Sequence, residues 1–454
     1  MSMTKSGLAT AIGTCSLTLF FFCSTLLAAV SAEDAAKLGA ELTPVGAERA
    51  GTENGVIPEW NGGIARNSGA VDSKGFLADP FAAEAPLFTI TAENAEQYRD
   101  HLTPGQLALF RRYSSTYKMP IYPTHRSANL PEQWLAMTRD NATKVKLVEG
   151  GNGLENYTGG VPFPMPQNGQ EVIWNHLTYY RGEGLHRYVV QVTPQQNGSF
   201  SPIHFEDHVL PFYAMKESEG KLLLYKQTVT APSRLAGTVL LLHDYINQVQ
   251  EPRQAWVYNA GQRRVRRAPQ VAYDGPGTAS DGMRTADNLD MFNGAIDRYD
   301  WQLQGKKTIY IPYNSYRLDS PDLKYADIVK AGHINQDHTR YELHRVWHVT
   351  ATLKPGVRHV YAKRDVYIDE DTWLIAVVDH YDGRGALWRV AEGHAQFYYH
   401  RQVPSFTLEA LYDLHSGRYL AMGMKNEEKR AWDFDVRLQD SEFTPAAIRQ
   451  AGVR

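Results

Sequence analysis

The chain has 454 residues, and its 47 Lys and Arg residues nearly balance its 50 Asp and Glu residues, for a formal net charge of −3. A total so close to neutral indicates no charged partner by itself. The length is ample for a hydrophobic core without disulfides or metal ions, which excludes a small stapled scaffold. Tyrosine outnumbers phenylalanine, 26 to 16, which favours half-buried strands and surfaces that are apolar on one side.

The N-terminal segment has the pattern of a secretory signal peptide. Lys5 is the only charge before Glu33, an apolar core covers residues 17–27, and small residues follow up to Ala32. A positive start, a short apolar run and a small-residue exit predict a signal peptide over residues 1–32, cleaved after Ala32. A retained membrane anchor is disfavoured, because the apolar run is too short to span a bilayer comfortably.

Both cysteines of the chain, Cys15 and Cys23, lie inside this segment. Cys23 follows three phenylalanines, which makes a poor lipoprotein cleavage site. The mature chain, residues 33–454, is therefore expected to be one cysteine-free domain in the periplasm, without disulfides or thiolate chemistry. It has no second apolar stretch long enough for a transmembrane span, and export makes nucleic acid an improbable partner.

The first part of the mature chain is predicted to be an arm followed by helices. Residues 33–83 are rich in glycine and poorly periodic, which indicates an extended arm with one short helix near its start. Residues 84–150 are predicted to form a helical cover, with a first helix capped near Thr91, a restart at Thr103-Pro104 and a further helix from Pro131.

From residue 172 the apolar period changes to two, which predicts strands. A turn at residues 181–184 predicts a hairpin, and a glycine- and aspartate-rich insert occupies residues 274–295. The predicted strands before the C-terminal third are 172–180, 185–192, 222–229, 239–249, 255–258, 262–267, 301–303 and 308–313.

The C-terminal third predicts a meander of long strands up to residue 425. Twelve residues at ~3.3 Å each span ~40 Å, which is long for a globular sheet. Long, twisted antiparallel strands favour a sheet that curls. The predicted fold is mainly β with helices (α+β), a large curved antiparallel sheet or incomplete β-barrel over residues 172–425, covered by the N-terminal helices.

Histidine pairs suggest a metal site but do not support one. His204 and His208 flank two acids, yet Pro202 and Pro211 argue against a helix, and on a strand the two imidazoles would be ~13 Å apart. His344 and His348 are also four apart on a strand. The sequence therefore predicts no metal site and no cofactor.

Arg263, Arg264, Arg266 and Arg267 form the densest basic run of the chain. One interpretation is a surface hairpin whose arginines pair with carboxylates. The other is a rim that contacts anionic head groups or an acidic partner.

Nucleotide-binding glycine motifs and the nucleophile-elbow pattern are missing from the sequence, and no nucleophile, base and orienting group can be assembled. We therefore expect that the protein is not an enzyme. The alternatives are a hydrolase of lipid or polysaccharide centred on residues 204–208, and a scaffold or accessory protein of an envelope transport complex.

Several segments spread over the mature chain resemble the bacterial exported family known as domain of unknown function 1329. Among them are Ile311-Pro312-Tyr313-Asn314 and Tyr367-Ile368-Asp369-Glu370-Asp371. The others are residues 36–39, 42–44, 46–48, 57–60, 62–63, 256–269, 298–301, 305–307 and 340–347. The resemblance implies a fold similar to that of the lipoprotein carriers LolA and LolB, an incomplete barrel whose concave face holds acyl chains under helices; it implies no catalytic residues.

A half-closed sheet with unfilled interior predicts an apolar ligand, such as a lipid or an acyl chain. Burying ten methylenes contributes ~8 kcal/mol before the costs of association. The predicted function is a periplasmic binding or carrier protein, possible envelope transport proteins being its partners. The predicted lining is Tyr341, Leu343, Trp347, Val349, Val360, Val366, Ile368, Trp373, Ile375 and Val377.

Overall fold

The structure is a computed structural model that describes residue 1, residues 30–216 and residues 218–451. The predicted signal peptide lies almost wholly outside these residues, as do both cysteines, so cleavage after Ala32 stays a prediction. Within the described residues, none of the helices combines the length and the apolar character needed to span a bilayer.

The helices are short and lie mostly before the main strands. The predicted start at Thr103 is confirmed: its Oγ1 accepts from the Gln106 backbone N–H at 3.1 Å, and Gln106 Oε1 accepts from the Thr103 N–H at 3.0 Å. The predicted first helix is only a 3₁₀ helix over Ala95–His101. The α-helices are α1 Ala32–Ala35, α2 Pro104–Arg112, α3 Glu132–Lys144, α4 Gly169–Leu177, α5 Tyr325–Ile328 and α6 Pro445–Ala451.

The strands begin with short pairs and lengthen toward the C-terminus. The first ten are β1 Phe88–Ile90, β2 Met119–Ile121, β3 Lys146–Val148, β4 Gly153–Glu155, β5 Leu185–Val192, β6 Ile203–Pro211, β7 Lys221–Ala231, β8 Val239–Tyr245, β9 Gln254–Asn259 and β10 Arg264–Arg267. The remaining strands are β11 Tyr299–Pro312, β12 Tyr341–Leu353, β13 Lys363–Asp369, β14 Ile375–Tyr381, β15 Leu387–Tyr398, β16 Val403–Asp413 and β17 Tyr419–Met424.

In the described part of the chain, one sheet takes fifteen of these strands and does not close on itself. Two antiparallel meanders, β11 to β17 and β5 to β10, supply thirteen of them, and β1 and β2 extend the sheet beside β12, to which β2 runs parallel. The two meanders join where β17 pairs with β5, through partners such as Ala421 and Val192. The prediction of a mainly β fold with helices on a large open sheet is confirmed.

The predicted strand 172–180 is wrong, because residues 169–177 form helix α4. All sides of this helix are buried: Val172, Ile173 and Trp174 are almost inaccessible and pack with sheet residues such as Val349 and Ile375. A helix buried all round loses the 3.6-residue alternation of apolar and polar positions that identifies a surface helix. The hairpin predicted at residues 181–184 is therefore also wrong, because its first strand is helix α4.

Two segments cover one face of the sheet, which we call the inner face. They are α4 and the inner segment, residues 268–298, which contains the predicted insert. Met283, Phe292 and Ile296 of the inner segment are buried in the same apolar cluster as α4 and inner-face strand residues. Much of the space against the inner face is thus occupied by the chain itself.

Candidate functional site

The inner face carries buried charges beneath the inner segment. Arg187 on β5 donates to Asp207 on β6 at 3.0 Å, and Arg181 donates to Asp290 of the inner segment at 3.3 Å. The Asp207 side chain is inaccessible to solvent, and burial raises the pKa of its carboxyl above the ordinary value. Ion pairs at this depth are stable only when both members remain.

Arg284 of the inner segment differs from these arginines. It is buried, its Nε atom has no hydrogen-bond partner, and no carboxylate among the described residues lies within 4.0 Å of its guanidinium. Burial lowers the pKa of its guanidinium, although nearby acids such as Asp207 oppose the change. Arg284 is therefore a buried cation without a matched acid.

Glu409 on β16 faces the same region and accepts a hydrogen bond from the Met291 backbone N–H at 2.8 Å. Burial, reinforced by the nearby charge of Asp290, raises the pKa of Glu409 to about 8. Its carboxyl group is then mostly protonated at pH 7, which leaves the positive charge of Arg284 less compensated.

The cavities beside these charges are small. Two of them, between the inner segment and strands β5 to β8, have about 20 and 30 Å³ accessible to water. That is room for one or two water molecules in each, not for an acyl chain. At this place the structure does not have the unfilled interior that the sequence predicts, because the inner segment and α4 occupy it.

A larger cavity opens where these strands end, and we call it the strand-end cavity. It has about 630 Å³ accessible to water. Three stretches of chain line it: 193–203 between β5 and β6, 229–238 at the end of β7 and beyond, and 278–281 of the inner segment. A volume of this size lies within the range of known small-molecule sites.

The lining of the strand-end cavity is amphipathic. Phe200, Ile203, Val229 and Leu235 supply apolar surface. Hydroxyl groups come from Thr193, Ser199, Ser201, Thr238 and Thr278, and charges from Arg234 and Asp281. A lining that combines apolar side chains with many polar ones suits a ligand that has an apolar part and a polar head.

Gln191 ties β5 to one wall of the strand-end cavity. Its Nε2 donates to the backbone oxygens of Thr278 and Ala279, at 3.2 and 2.7 Å, and both of these residues line that cavity. Gln191 itself lines the small cavity that Arg284 also lines.

The ten residues predicted as lining are dispersed in the structure. Tyr341 and Leu343 are buried in a second apolar cluster, which also contains Leu107 and Phe110 of α2, and Val377 packs in a separate cluster with Val346. The main core takes Trp347, Val349, Val366, Ile368, Trp373 and Ile375. None of the ten lines the strand-end cavity or the two small ones.

Val360 is the exception among the ten, because it is 41% exposed. It lies outside the strands, because β13 begins only at Lys363. Residues 357–362 run beside the inner segment, where Asp274 accepts from the Val360 N–H.

The arginine run lies on β10, at the edge of the sheet, paired with β9. Arg263, Arg264, Arg266 and Arg267 are all exposed, and within the described residues none of them forms an ion pair. Arg267 lies over the ring of Trp256, 5.7 Å from its centre. The carboxylate pairing of the first interpretation is not observed, and contact with an anionic partner stays a prediction.

The predicted separation of His204 and His208 agrees with the structure, since both lie on β6. His204 Nδ1 is 2.9 Å from Glu428 Oε1, whereas His208 stacks on His186 of the neighbouring strand. Sequence reasoning weighed the spacing along one strand and missed the cross-strand partner, which only the β5–β6 register reveals.

Solved structures similar to this chain have low sequence identity to it. A DUF1329 family protein from Desulfovibrio piger matches with 15% identity and a TM-score of 0.41, over 59% of this chain and 92% of its own. A LolA superfamily protein, NE2245 from Nitrosomonas europaea, matches with 13% identity and a TM-score of 0.38, over 62% of this chain and 98% of its own.

Sequence relatives are much closer. Uncharacterized protein PA3922 of Pseudomonas aeruginosa is 65% identical over 443 residues, which are 96% of this chain and 97% of that protein. The family model described as "Protein of unknown function (DUF1329)" matches residues 89–449. Because that match covers most of the chain, and the resemblance of the sequence segments agrees with it, this chain belongs to the DUF1329 family.

Proposed function

We propose that this protein is a periplasmic binding or carrier protein rather than an enzyme, and that its ligand is a small amphipathic, lipid-like molecule. The observation that carries the proposal is the strand-end cavity, which combines about 630 Å³ of accessible space with apolar walls and a hydroxyl-rich lining. Burying several methylenes on Phe200, Ile203 and Leu235 would contribute ~0.8 kcal/mol each before the costs of association.

The direct test is native mass spectrometry of the purified mature protein, followed by solvent extraction. We expect a bound amphiphile, and we expect a fluorescent apolar probe to compete with it. A purified protein that releases no lipid and binds no apolar probe would contradict the carrier function and favour the scaffold alternative.

A substitution in the wall of the strand-end cavity tests whether the ligand binds there. Leu235 is half-buried in the loop between β7 and β8, so Leu235→Trp fills cavity volume without disturbing a strand. We expect probe affinity to fall at least tenfold. Leu87→Trp is the matched control, because Leu87 is 62% exposed and does not line the cavity. Equal affinities of the two variants would exclude this cavity as the binding site.

The lining residues predicted from the sequence, between Tyr341 and Val377, would form a second and deeper binding site. An apolar chain would reach those in the main core only if α4 moved away from the inner face, because α4 packs on them in the structure. Ile375→Phe would then affect binding only of long-chain ligands, whereas Leu235→Trp would affect ligands of all lengths. Loss of long-chain binding alone would favour the deeper site.

We further propose that the exposed arginines of β10 contact anionic head groups during delivery or uptake. Four arginines on one edge hairpin, unpaired among the described residues, attract an anionic lipid surface by about 1 kcal/mol each. Replacing all four by Gln should abolish salt-sensitive sedimentation with phosphatidylglycerol vesicles while leaving probe affinity in the cavity unchanged. Unchanged sedimentation would show that the arginines do not mediate contact with anionic head groups.

A further inference from the structure

Three side chains on the face of β5 and β6 opposite the inner face converge on one point, away from the strand-end cavity. We propose that His186, Glu206 and His208 bind one divalent transition-metal ion of the class that prefers imidazole ligands, such as Zn²⁺ or Ni²⁺. This site is independent of the proposed function, since none of the three residues lines the strand-end cavity or the small cavities.

The register of β5 and β6 brings the three residues together. His186 lies directly opposite His208, and Glu206 is two residues before His208, so all three project from the same face. One ligand atom from each lies within 4.8 Å of the other two. Ligand atoms of a tetrahedral zinc site are about 3.4 Å apart, which follows from metal–nitrogen distances near 2.1 Å. Because the two imidazole rings are nearly parallel, binding requires them to rotate until a nitrogen lone pair of each points at the ion.

The ring nitrogens of the two histidines do not all have hydrogen-bond partners among the described residues. The His186 and His208 rings stack with 4.5 Å between centres and 9° between planes. His208 Nδ1 is buried without a hydrogen-bond partner, and within the described residues His208 makes no side-chain hydrogen bond through its other nitrogen either. A buried imidazole nitrogen without a partner is uncommon, and coordination of a metal ion through Nδ1 of this half-buried ring would supply one.

Arg430 competes with the metal for His186. Its Nη2 donates to His186 Nδ1 at 2.8 Å, so the imidazole proton is on Nε2, which faces Glu206 Oε1 at 2.8 Å. Coordination through Nε2 moves this proton to Nδ1, with no net proton lost, and Nδ1–H cannot accept from Arg430. Metal binding therefore displaces Arg430. Together with Lys226, the cross-strand neighbour of His208, Arg430 lowers the affinity of the site for a cation.

The competition predicts effects of opposite sign in two variants. We would titrate the chelator-treated mature chain with Zn²⁺ by calorimetry, and with Co²⁺ by visible absorption. Wild type should bind one ion, and Glu206→Gln and His208→Ala should each weaken binding at least tenfold. Arg430→Gln should strengthen binding severalfold, because it removes both a positive charge and the competing hydrogen bond.

His204→Ala is the matched control, because His204 lies on the same face of β6 but pairs with Glu428. It should bind the metal as wild type does. Melting temperatures in EDTA check that every variant folds, and Glu206→Gln carries the test if His208→Ala does not fold. Equal weakening by His204→Ala, unaltered binding by Glu206→Gln, or weaker binding by Arg430→Gln would each overturn the proposal.

Discussion

Arg126 holds the carboxylate of Asp371 with two hydrogen bonds, 2.8 Å from Nε and 2.7 Å from Nη2, and both side chains are buried. The same guanidinium donates to the backbone oxygens of Glu48 and Arg49, at 2.8 and 3.1 Å. One side chain thus ties the N-terminal arm to the acidic turn between β13 and β14.

Arg126→Met should release the arm and destabilise the protein. It leaves the buried carboxylate of Asp371 without its cation, which typically costs about 3–5 kcal/mol. Urea unfolding measures the loss, and limited proteolysis should cut the arm, residues 33–83, faster than in wild type. The exposed pair of Arg139 and Glu132 gives the control: Arg139→Met should change stability by less than about 1 kcal/mol. Similar effects of both changes would show that Arg126 does not hold the arm on the acidic turn.

Stability should fall as the pH rises from about 5 to 8, in part because of Glu392. Burial raises its pKa from 4.5 to about 7, although Tyr341 donates to it. A raised carboxyl pKa means that the folded state retains a proton that the unfolded state has lost, so this contribution is present below pH 4.5 and disappears as the pH passes 7. For a group this deeply buried, the change is roughly 3 kcal/mol.

Glu392→Gln tests this assignment, because glutamine cannot titrate. Its unfolding free energy, measured by urea at several pH values, should decline less between pH 5 and pH 8 than that of wild type. Other raised carboxyls, such as Glu409, remain in the variant, so the difference between the two pH profiles is the informative quantity. Parallel profiles would show that Glu392 titrates normally.

Replacement by Met should destabilise the protein at Arg187 but not at Arg284. Arg187→Met leaves Asp207 buried and unpaired, which should cost about 3–5 kcal/mol. Arg284→Met removes a buried cation that has no matched acid and should leave stability unchanged or raise it by on the order of 1 kcal/mol. Thermal unfolding of both variants at pH 7 gives the comparison, and a large loss in Arg284→Met would reveal a partner for its guanidinium.

Helix α4 should depend on its cap. The side chain of Asn168 accepts from the Glu171 backbone N–H at 3.0 Å. Asn168→Ala should lower the unfolding free energy by about 1 kcal/mol, whereas Asn168→Ser, which keeps a capping oxygen, should recover most of the loss. If the Ala and Ser variants are equally stable, the cap contributes little beside the packing of Trp174.

Local patterns predicted the C-terminal meander because β12 alternates over many residues and turn residues separate the strands that follow it. They also predicted α2, where Thr103-Pro104 is a strong start signal. Helix α4 was missed, although Asn168 followed three residues later by Glu171 is a capping pattern that favours a helix. The apolar run after it, Val172 to Trp174, favours a strand, and this led to the wrong prediction.

The candidate sites could not be predicted, because they depend on pairing between distant segments. Three stretches of chain, separated by tens of residues, meet only at the strand-end cavity. The neighbour of His208 is fixed by strand register, which a one-residue slip would change. The occupation of the inner face by residues 268–298 also has no local signature, since this segment reads as an ordinary glycine-rich loop.

The pairing of β17 with β5 also governs how the molecule must be made. Ala421 and Val192 are partners more than 200 residues apart, so the two meanders cannot join until nearly all of the chain has been synthesised. Until then β5 and β16 each present an unpaired edge, a template for aggregation, and late closure of such distant contacts is slow. We therefore expect the newly made chain to be prone to aggregation until β17 has formed, and a truncation before residue 419 to leave the edges of β5 and β16 exposed.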